Sequence, residues 1–161
     1  MHSVVSDATI PLTPPSIPSI PSSVFLTCLS GNAASTCQRP SQPSNSFPAG
    51  HCIPCRKSSG TTGSYNLLIP SSSFTIKKGI AKLFTRQGDS GSNVTYHNCP
   101  ICSNLIYVEA DAMPGFKIVK MGLIDDKAFL EELGKPGNEI YCKNMCGWEE
   151  VWQGAEKKDA A

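Results

Sequence analysis

Alternating apolar and polar positions dominate the chain from residue 50 onward, and they predict a series of short β-strands. Strands are expected at 65–69, 74–76, 80–86, 94–97, 105–109, 116–123 and 139–141. Gly122 falls within the 116–123 run and predicts a bulge or a close approach there. Pro70 and the polar loop 87–92 have the turn chemistry that separates strands. The pattern therefore predicts a mainly β domain.

One short amphipathic helix is predicted, at residues 127–133. Its apolar side chains Phe129 and Leu133 recur at helical spacing. Asp126 is a suitable N-cap, and Gly134 is a suitable stop signal. The fold class is accordingly mainly β with one helix.

The two ends of the chain differ from the middle. Residues 1 to 48 hold eight of the thirteen prolines and eleven serines, which predicts a largely irregular segment with a disordered tail at 1–23. The run 23–28 is the exception and predicts a strand. The charged tail 151–161 is expected to fray. One domain is thus expected over 24–150.

Charge and length narrow the classes of function. The chain has 161 residues and a formal net charge of +1, so no basic surface for nucleic acid is indicated. No apolar run approaches the roughly 18 residues of a membrane helix. The amino terminus lacks the basic region of a signal peptide, so a cytoplasmic location is expected. In that reducing compartment, closely spaced cysteines indicate metal or redox chemistry rather than disulfides.

Two C-x-x-C motifs, at Cys52/Cys55 and Cys99/Cys102, are the main chemical signal. Each motif places two thiolates within reach of one zinc ion, at about 2.3 Å from the metal. The 43 residues between the motifs exceed the roughly 15–20 of a compact zinc ribbon. The two motifs can therefore share one ion or serve different ions.

The motifs have a recognisable order. Four motifs follow one another along the chain: H-C-I-P-C-R-K-S-S-G at 51–60, N-C-P-I-C at 98–102, G-L-I-D-D at 122–126 and E-I-Y…W at 139–148. In this order they resemble the glutathione-dependent formaldehyde-activating family, also called the centromere-protein-V-like domain. The resemblance covers roughly 50–150 and reaches weakly back to residue 24. It implies an Mss4-like β-tent fold and a carbon–sulfur lyase that joins a small aldehyde to a thiol such as glutathione.

The resemblance also implies two zinc sites, each with a ligand missing here. The family pattern gives a structural zinc to a C-x-C pair plus the final C-x-x-C, and a catalytic zinc to a central C-x-C-x-x-C. Ser30 and Gly50 stand where two of those cysteines belong. The matching ligands are Cys28, Cys99 and Cys102 for the structural site, and Cys52 and Cys55 for the catalytic one. One zinc is therefore expected, against two in the intact pattern.

Several residues have two interpretations. His51, a water or the substrate thiol would have to complete the central site. Cys37 is either a replacement ligand or a free thiol in a loose loop, and the second is favoured. Arg56 and Lys57 either attract the carboxylates of a glutathione-like substrate or form a solvated basic turn.

Other candidates have weaker signals. Cys142 and Cys146 fall outside the family pattern and are expected to be incidental. His97 is either an outer partner of the second motif or an ordinary strand histidine, and the latter is favoured. Trp148 and Trp152 are expected to cover the core or the domain edge.

Three functions follow from these patterns. The first is a zinc-assisted carbon–sulfur lyase acting on a small thiol–aldehyde adduct. The second is a non-catalytic zinc-stabilised binding module that kept the fold. The third is a thiol redox protein using Cys52 and Cys55, which lacks the strand–helix alternation expected around such a motif.

Overall fold

The computed structural model describes residues 22–38 and 48–160, and it is built mainly from short strands. The strands are β1 (Ser23–Thr27), β2 (Ala34–Gln38), β3 (Pro48–Gly50), β4 (Ser64–Pro70), β5 (Phe74–Lys78), β6 (Lys82–Gln87), β7 (Asn93–Asn98), β8 (Leu105–Ala110), β9 (Phe116–Lys120), β10 (Asn138–Ile140) and β11 (Glu156–Lys157). The helices are α1 (Ile53–Ser59) and α2 (Lys127–Leu133). Single 3₁₀ turns occupy Ser71–Ser73, Met121–Leu123 and Cys142–Asn144.

Two sheets share one core. The larger has the order β11-β10-β3-β4-β9-β8-β7-β6, and the smaller has the order β1-β2-β5. Neighbours are antiparallel except that β10 runs parallel to β3 and to β11. The side chains of Leu26, Leu67, Ile69, Val119 and Phe129 are essentially inaccessible to solvent and join the two sheets and α2. The mainly β fold class is confirmed.

The amino-terminal hairpin contains a strand that the apolar pattern did not predict. β2 pairs with β1 from Ser23↔Gln38 to Thr27↔Ala34, and its inward residues are Ser35 and Cys37. Because neither residue is strongly apolar, the alternation was invisible in the sequence. Cys37 is a free thiol, as favoured, but it lies in the core and not in a loose loop.

One helix was predicted correctly and one was missed. α2 begins after Asp126, whose carboxylate accepts the N–H of Phe129 at 3.1 Å. The second helix, α1, begins inside the Cys52/Cys55 motif, where no helix was predicted. It has only seven residues, and its N-cap is a cysteine, which is not among the strongly preferred capping residues.

Two further predictions need correction. The long strand at 116–123 ends at Lys120, and Gly122 lies in a 3₁₀ turn rather than a bulge. The carboxyl-terminal tail is paired in its middle: β11 lies beside β10, and Lys158 donates its N–H to the carbonyl of Glu139. These backbone hydrogen bonds attach the tail to β10, although its charged composition predicted that it would fray.

Some expectations fall outside the described residues. The disordered tail predicted at 1–23 has only its last two residues in the described part, and Ser23 begins β1. Among the described helices, none has the length and apolarity needed to cross a membrane.

Candidate metal centre and cleft

Three cysteines from distant parts of the chain meet at one point. Cys28 follows β1, and Cys99 and Cys102 lie in the loop between β7 and β8. Their sulfur atoms all lie within 4.8 Å of one another, and we call them the cysteine triad. The sequence-based grouping of these three positions is thus reproduced by the fold.

Backbone hydrogen bonds hold the two loops of the triad in shape. Cys28 donates its N–H to the carbonyl of Ala33 at 3.2 Å, and Ala33 donates its N–H to the sulfur of Cys28, also at 3.2 Å. In the second loop, Cys99 donates to the carbonyl of Asn104 at 2.8 Å. The side chain of Asn104 links the loops, because its Oδ1 accepts the N–H of Leu29 at 2.8 Å.

Ser30 lies at the place left open by the triad. Its Oγ is 3.4 Å from the sulfur of Cys28 and 3.6 Å from the sulfur of Cys99. The hydroxyl therefore lies against the sulfurs, where the family pattern puts the fourth cysteine.

The surroundings of the triad favour thiolates. Burial opposes ionisation of Cys28, but hydrogen bonds from Ser30, the Ala33 N–H, Cys99 and Cys102 together lower its pKa to about 6. A hydrogen bond from Ser30 is the main reason that the pKa of Cys102 is also lowered. Thiolates are the form that binds metal.

The triad fits a zinc ion. Three sulfurs at about 2.3 Å from a tetrahedral ion lie close to 4 Å apart, which agrees with their observed grouping within 4.8 Å. Ser30 or a water would provide the fourth ligand. Within the described residues, no other group of three histidine, cysteine or acidic side chains lies within reach of one ion.

The second pair of cysteines is arranged differently. Cys52 caps α1, and its sulfur accepts the N–H of Cys55 at 3.1 Å. The two cysteines are joined in a disulfide, with their Cα atoms 5.1 Å apart. We call them the cysteine pair; metal binding here requires the reduced form, and that role stays a prediction.

Gly50 lies where the family resemblance predicts a third cysteine beside the cysteine pair. A Cβ at this position would lie 3.3 Å from the sulfur of Cys55. It would also lie 3.6 Å from the side-chain nitrogen of Asn66. A cysteine here would therefore place its side chain beside the sulfur of Cys55, and a third ligand at this position stays a prediction.

His51 is held by acidic residues. Its Nε2 lies 2.7 Å from Oε2 of Glu139, and its Nδ1 lies 3.9 Å from Oε1 of Glu149. The ring is buried, and no hydrogen bond to Nδ1 is present within the described residues. Glu139 occupies only Nε2, so Nδ1 stays available as a ligand atom. Within the described residues, however, His51 forms no metal-binding group with Cys52 and Cys55, so the cysteine pair alone offers two of four zinc ligands.

A cleft of about 750 Å³ opens next to both cysteine positions. His51, which precedes the pair, and Asn104, which follows the triad, both line it, whereas Cys52 and Cys55 are not among its lining residues. The 60–63 loop contributes Thr61, Thr62 and Gly63. This volume lies within the range of small-molecule sites, about 300–1,000 Å³.

The basic residues after the pair lie in the last turn of α1. Arg56 donates to the carbonyl of Asn144 at 3.4 Å, and Lys57 is exposed. Neither is among the residues that line the cleft, so their substrate role stays a prediction. The cleft has a different lysine, Lys120, which lies inside the predicted strand 116–123 and had no sequence signal that singled it out.

Cys142 and His97, two residues with weaker sequence signals, each have a hydrogen-bond partner in the structure. Cys142 is buried and donates to the carbonyl of Glu139 at 3.3 Å. His97 stacks on Tyr107 with ring centroids 4.0 Å apart and bonds Glu109 at 2.7 Å. Burial is the main reason that the pKa of His97 is lowered.

The two tryptophans lie at the cleft. Trp148 is 73% exposed and lines the cleft. Trp152 also lines it and donates its indole N–H to the hydroxyl of Tyr65 at 3.2 Å. Of the two expected positions, the core is therefore excluded.

Fold and site together define a mainly β protein with a three-cysteine metal-type centre beside a cleft. The profile of the family described as glutathione-dependent formaldehyde-activating enzyme matches residues 24–144, and the chain belongs to that family. Its Mss4-like fold is therefore the one expected above.

A solved structure agrees with this fold. The crystal structure of a Rhodobacter sphaeroides protein superposes with a TM-score of 0.54 at 14% identity, over 70% of this chain and 96% of that chain. At that identity the likeness speaks for the fold alone. None of the curated proteins compared with the chain matches it significantly.

Proposed function

We propose that the chain is a carbon–sulfur lyase of its family's type, which adds a small aldehyde to a thiol such as glutathione and reverses that addition. The observation that carries the proposal is one cleft that is lined both by His51, which precedes the cysteine pair, and by Asn104, which follows the cysteine triad. Family membership supports the reaction class. The cytoplasm is the proposed location, because the pair must be reduced to act.

The reaction forms one carbon–sulfur bond and moves one proton. The thiol sulfur attacks the aldehyde carbon, and the thiol proton ends on the former carbonyl oxygen, giving a hydroxymethyl thioether. The cleft would bind the thiol and limit its contact with water. We assign Cys52 and Cys55 in their reduced form as the catalytic cysteines, and the N–H of Cys55 favours the thiolate of Cys52.

Zinc has two different parts in this proposal. At the triad, an ion held by Cys28, Cys99 and Cys102 would join the hairpin to the β7–β8 loop. At an open site, zinc lowers the pKa of a bound thiol and so supplies a thiolate. Because the pair offers only two ligands, no step is assigned to a metal there.

A specific observation favours a second function, a non-catalytic zinc-stabilised binding module. Gly50 removes the third ligand of the family's catalytic site, and Cys52 and Cys55 are bonded to each other. The triad keeps three sulfurs together. Such a protein would keep the fold and the cleft without the chemistry.

An activity measurement separates the two functions. Zinc-loaded, reduced protein should accelerate the formation of S-hydroxymethylglutathione from glutathione and formaldehyde, and Cys52→Ser should abolish the acceleration. Cys146→Ser, outside both cysteine groups, is the matched control and should leave it unchanged. Wild-type protein without any effect on the rate would favour the binding module.

A further inference from the structure

Lys120 ends β9 on the wall of the cleft. Its partner across the sheet is Asn66 of β4, and Ser64 lies two residues before Asn66 on the same face. Gly50 pairs with Ser64 from the other side. The lysine therefore belongs to the same sheet face as the position of the missing ligand, and Ser64 lines the cleft with it.

Neutral groups fix the position of the ammonium. Lys120 donates from Nζ to Oδ1 of Asn66 at 2.7 Å and to Oγ of Ser64 at 3.4 Å. Asn66 is itself oriented, because its Nδ2 donates to the carbonyl of Ser64 at 2.9 Å. An ammonium has three N–H donors, so one remains for a ligand.

No carboxylate neutralises this charge within the described part of the chain. Lys117, Lys127 and Lys158 each pair with a glutamate, whereas Lys120 forms no salt bridge there. Burial lowers the pKa of Lys120 to about 8, as expected for a cation withdrawn from water without a counter-charge. The group is still mainly charged at pH 7, and a bound anion would offset the cost of its burial.

The same cleft also carries negative charge. Glu139, Glu149 and Glu150 line it, and Glu139 bonds His51. Hydrogen bonds, first from Thr62 and then from the Cys146 N–H, lower the pKa of Glu149. Glu149 is therefore ionised at neutral pH. A cleft with one uncompensated cation and separate carboxylates suits a ligand that carries both a carboxylate and an ammonium group.

We propose that Lys120 is the anion-binding residue of the cleft and that it pairs with a carboxylate of an amino-acid-derived thiol. The choice of a thiol rests on the proposed function, whereas the anion site rests on the position and hydrogen bonds of Lys120. The ligand's ammonium group would face the acidic wall of the cleft. Lys120 is here a specificity-determining residue and takes no part in bond formation.

The test uses a ligand that cannot react. S-methylglutathione keeps the carboxylates and the ammonium but has no free thiol, and its dimethyl ester lacks the carboxylates. Calorimetric titration of the reduced, zinc-loaded protein should show the acid binding about ten-fold more tightly than the ester, the size expected for a charge-assisted hydrogen bond. The titration is repeated at about 50 mM and about 500 mM sodium chloride. Because salt screens charge–charge attraction, the higher concentration should weaken binding of the acid more than binding of the ester.

Variants assign the preference to one side chain. Lys120→Met should remove the difference between acid and ester, Lys120→Arg should retain most of it, and the exposed Lys127→Met should leave it unchanged. If Lys120→Met does not fold, the comparison of acid with ester and its salt dependence in the wild-type protein decide the question. Equal binding of acid and ester, no binding of either, or unchanged binding by a folded Lys120→Met variant would overturn the proposal.

The outcome is separable from the catalytic question. Lys120-dependent binding of S-methylglutathione by a protein that does not accelerate thiol addition would refute the proposed reaction and leave the anion site standing. Conversely, an active enzyme whose Lys120→Met variant binds the acid as the wild type does would refute the anion site alone.

Discussion

The family resemblance predicts one further cysteine beside the cysteine triad and one beside the cysteine pair, and the structure differs at the two positions. At the triad, Ser30 replaces the sulfur with a hydroxyl that bonds two of the remaining cysteines. At the pair, Gly50 leaves no side chain, and the two sulfurs bond each other. Three cysteines assembled from distant segments thus stay grouped around a hydroxyl, whereas the two cysteines at the start of α1 bond each other.

The physical reason lies in how each group is supported. The triad is held by two loops whose backbone groups bond each other, with Asn104 between them. The pair depends on the first turn of α1, which has seven residues and no buried side chain. We therefore expect metal to stabilise the fold at the triad, and the pair to influence mainly the chemistry.

The largest effect is expected from Cys99→Ser. It removes a buried ligand at the junction of the hairpin and the β7–β8 loop, so it should cost about 4 kcal/mol or more of unfolding free energy, as loss of a structural metal does. Thermal unfolding should show a midpoint lower by roughly 10 °C or more. Cys146→Ser is the control, and an equal loss in both variants would contradict a special role of the triad.

Gly50→Cys should create the site that the pair lacks. The new side chain would point toward the sulfur of Cys55, so reduced protein should bind one more zinc per chain than the wild type, as measured by elemental mass spectrometry. Gly50→Ala is the matched control, because it fills the same space without a ligand. Unchanged zinc content in the cysteine variant would mean that Gly50 is not the position of the lost ligand.

Ser30→Cys should strengthen an existing site without adding one. A fourth sulfur at the triad should raise zinc affinity by about ten-fold or more. Changes of that size in metal affinity are typical when a residue that supports a metal site is replaced. Competition with a chromophoric chelator measures this affinity, and the number of ions at the triad should stay at one. Ser30→Ala is the control; if both variants bind zinc alike, Ser30 does not lie at the fourth coordination position.

A smaller effect is expected from pH in the metal-free protein. Cys28 has its pKa lowered from 9.0 to about 6 in the fold, so its ionisation stabilises the folded state. That contribution is fully present above pH 9 and is lost as the pH falls through about 6. Denaturant unfolding between these values should show stability rising with pH, and Cys28→Ser should flatten the rise. A wild-type curve that falls over this range would contradict the assignment.

The sequence was most informative where the spacing of residues has direct physical meaning. Alternation located most strands, and Asp126 with Gly134 bounded α2. The family pattern grouped Cys28 with Cys99 and Cys102 across about seventy residues, and the fold brings their sulfurs together. The catalytic role of Cys52 and Cys55 stays a prediction.

Other features had no local signal. β2 buries Ser35 and Cys37, which do not form an apolar alternation, and α1 is short and capped by a cysteine. Lys120 belongs to the cleft only because β9 pairs with β4, and Glu139 meets His51 only because β10 lies beside β3. Such contacts depend on strand order, which one sequence does not encode locally.

The central claim is that the triad of Cys28, Cys99 and Cys102 holds one zinc ion. The direct measurement is the zinc content of protein purified under reducing conditions, by elemental mass spectrometry against protein concentration. We expect one zinc per chain in the wild type and none in Cys99→Ser. A wild-type protein that contains no zinc and stays folded in a strong chelator would contradict it.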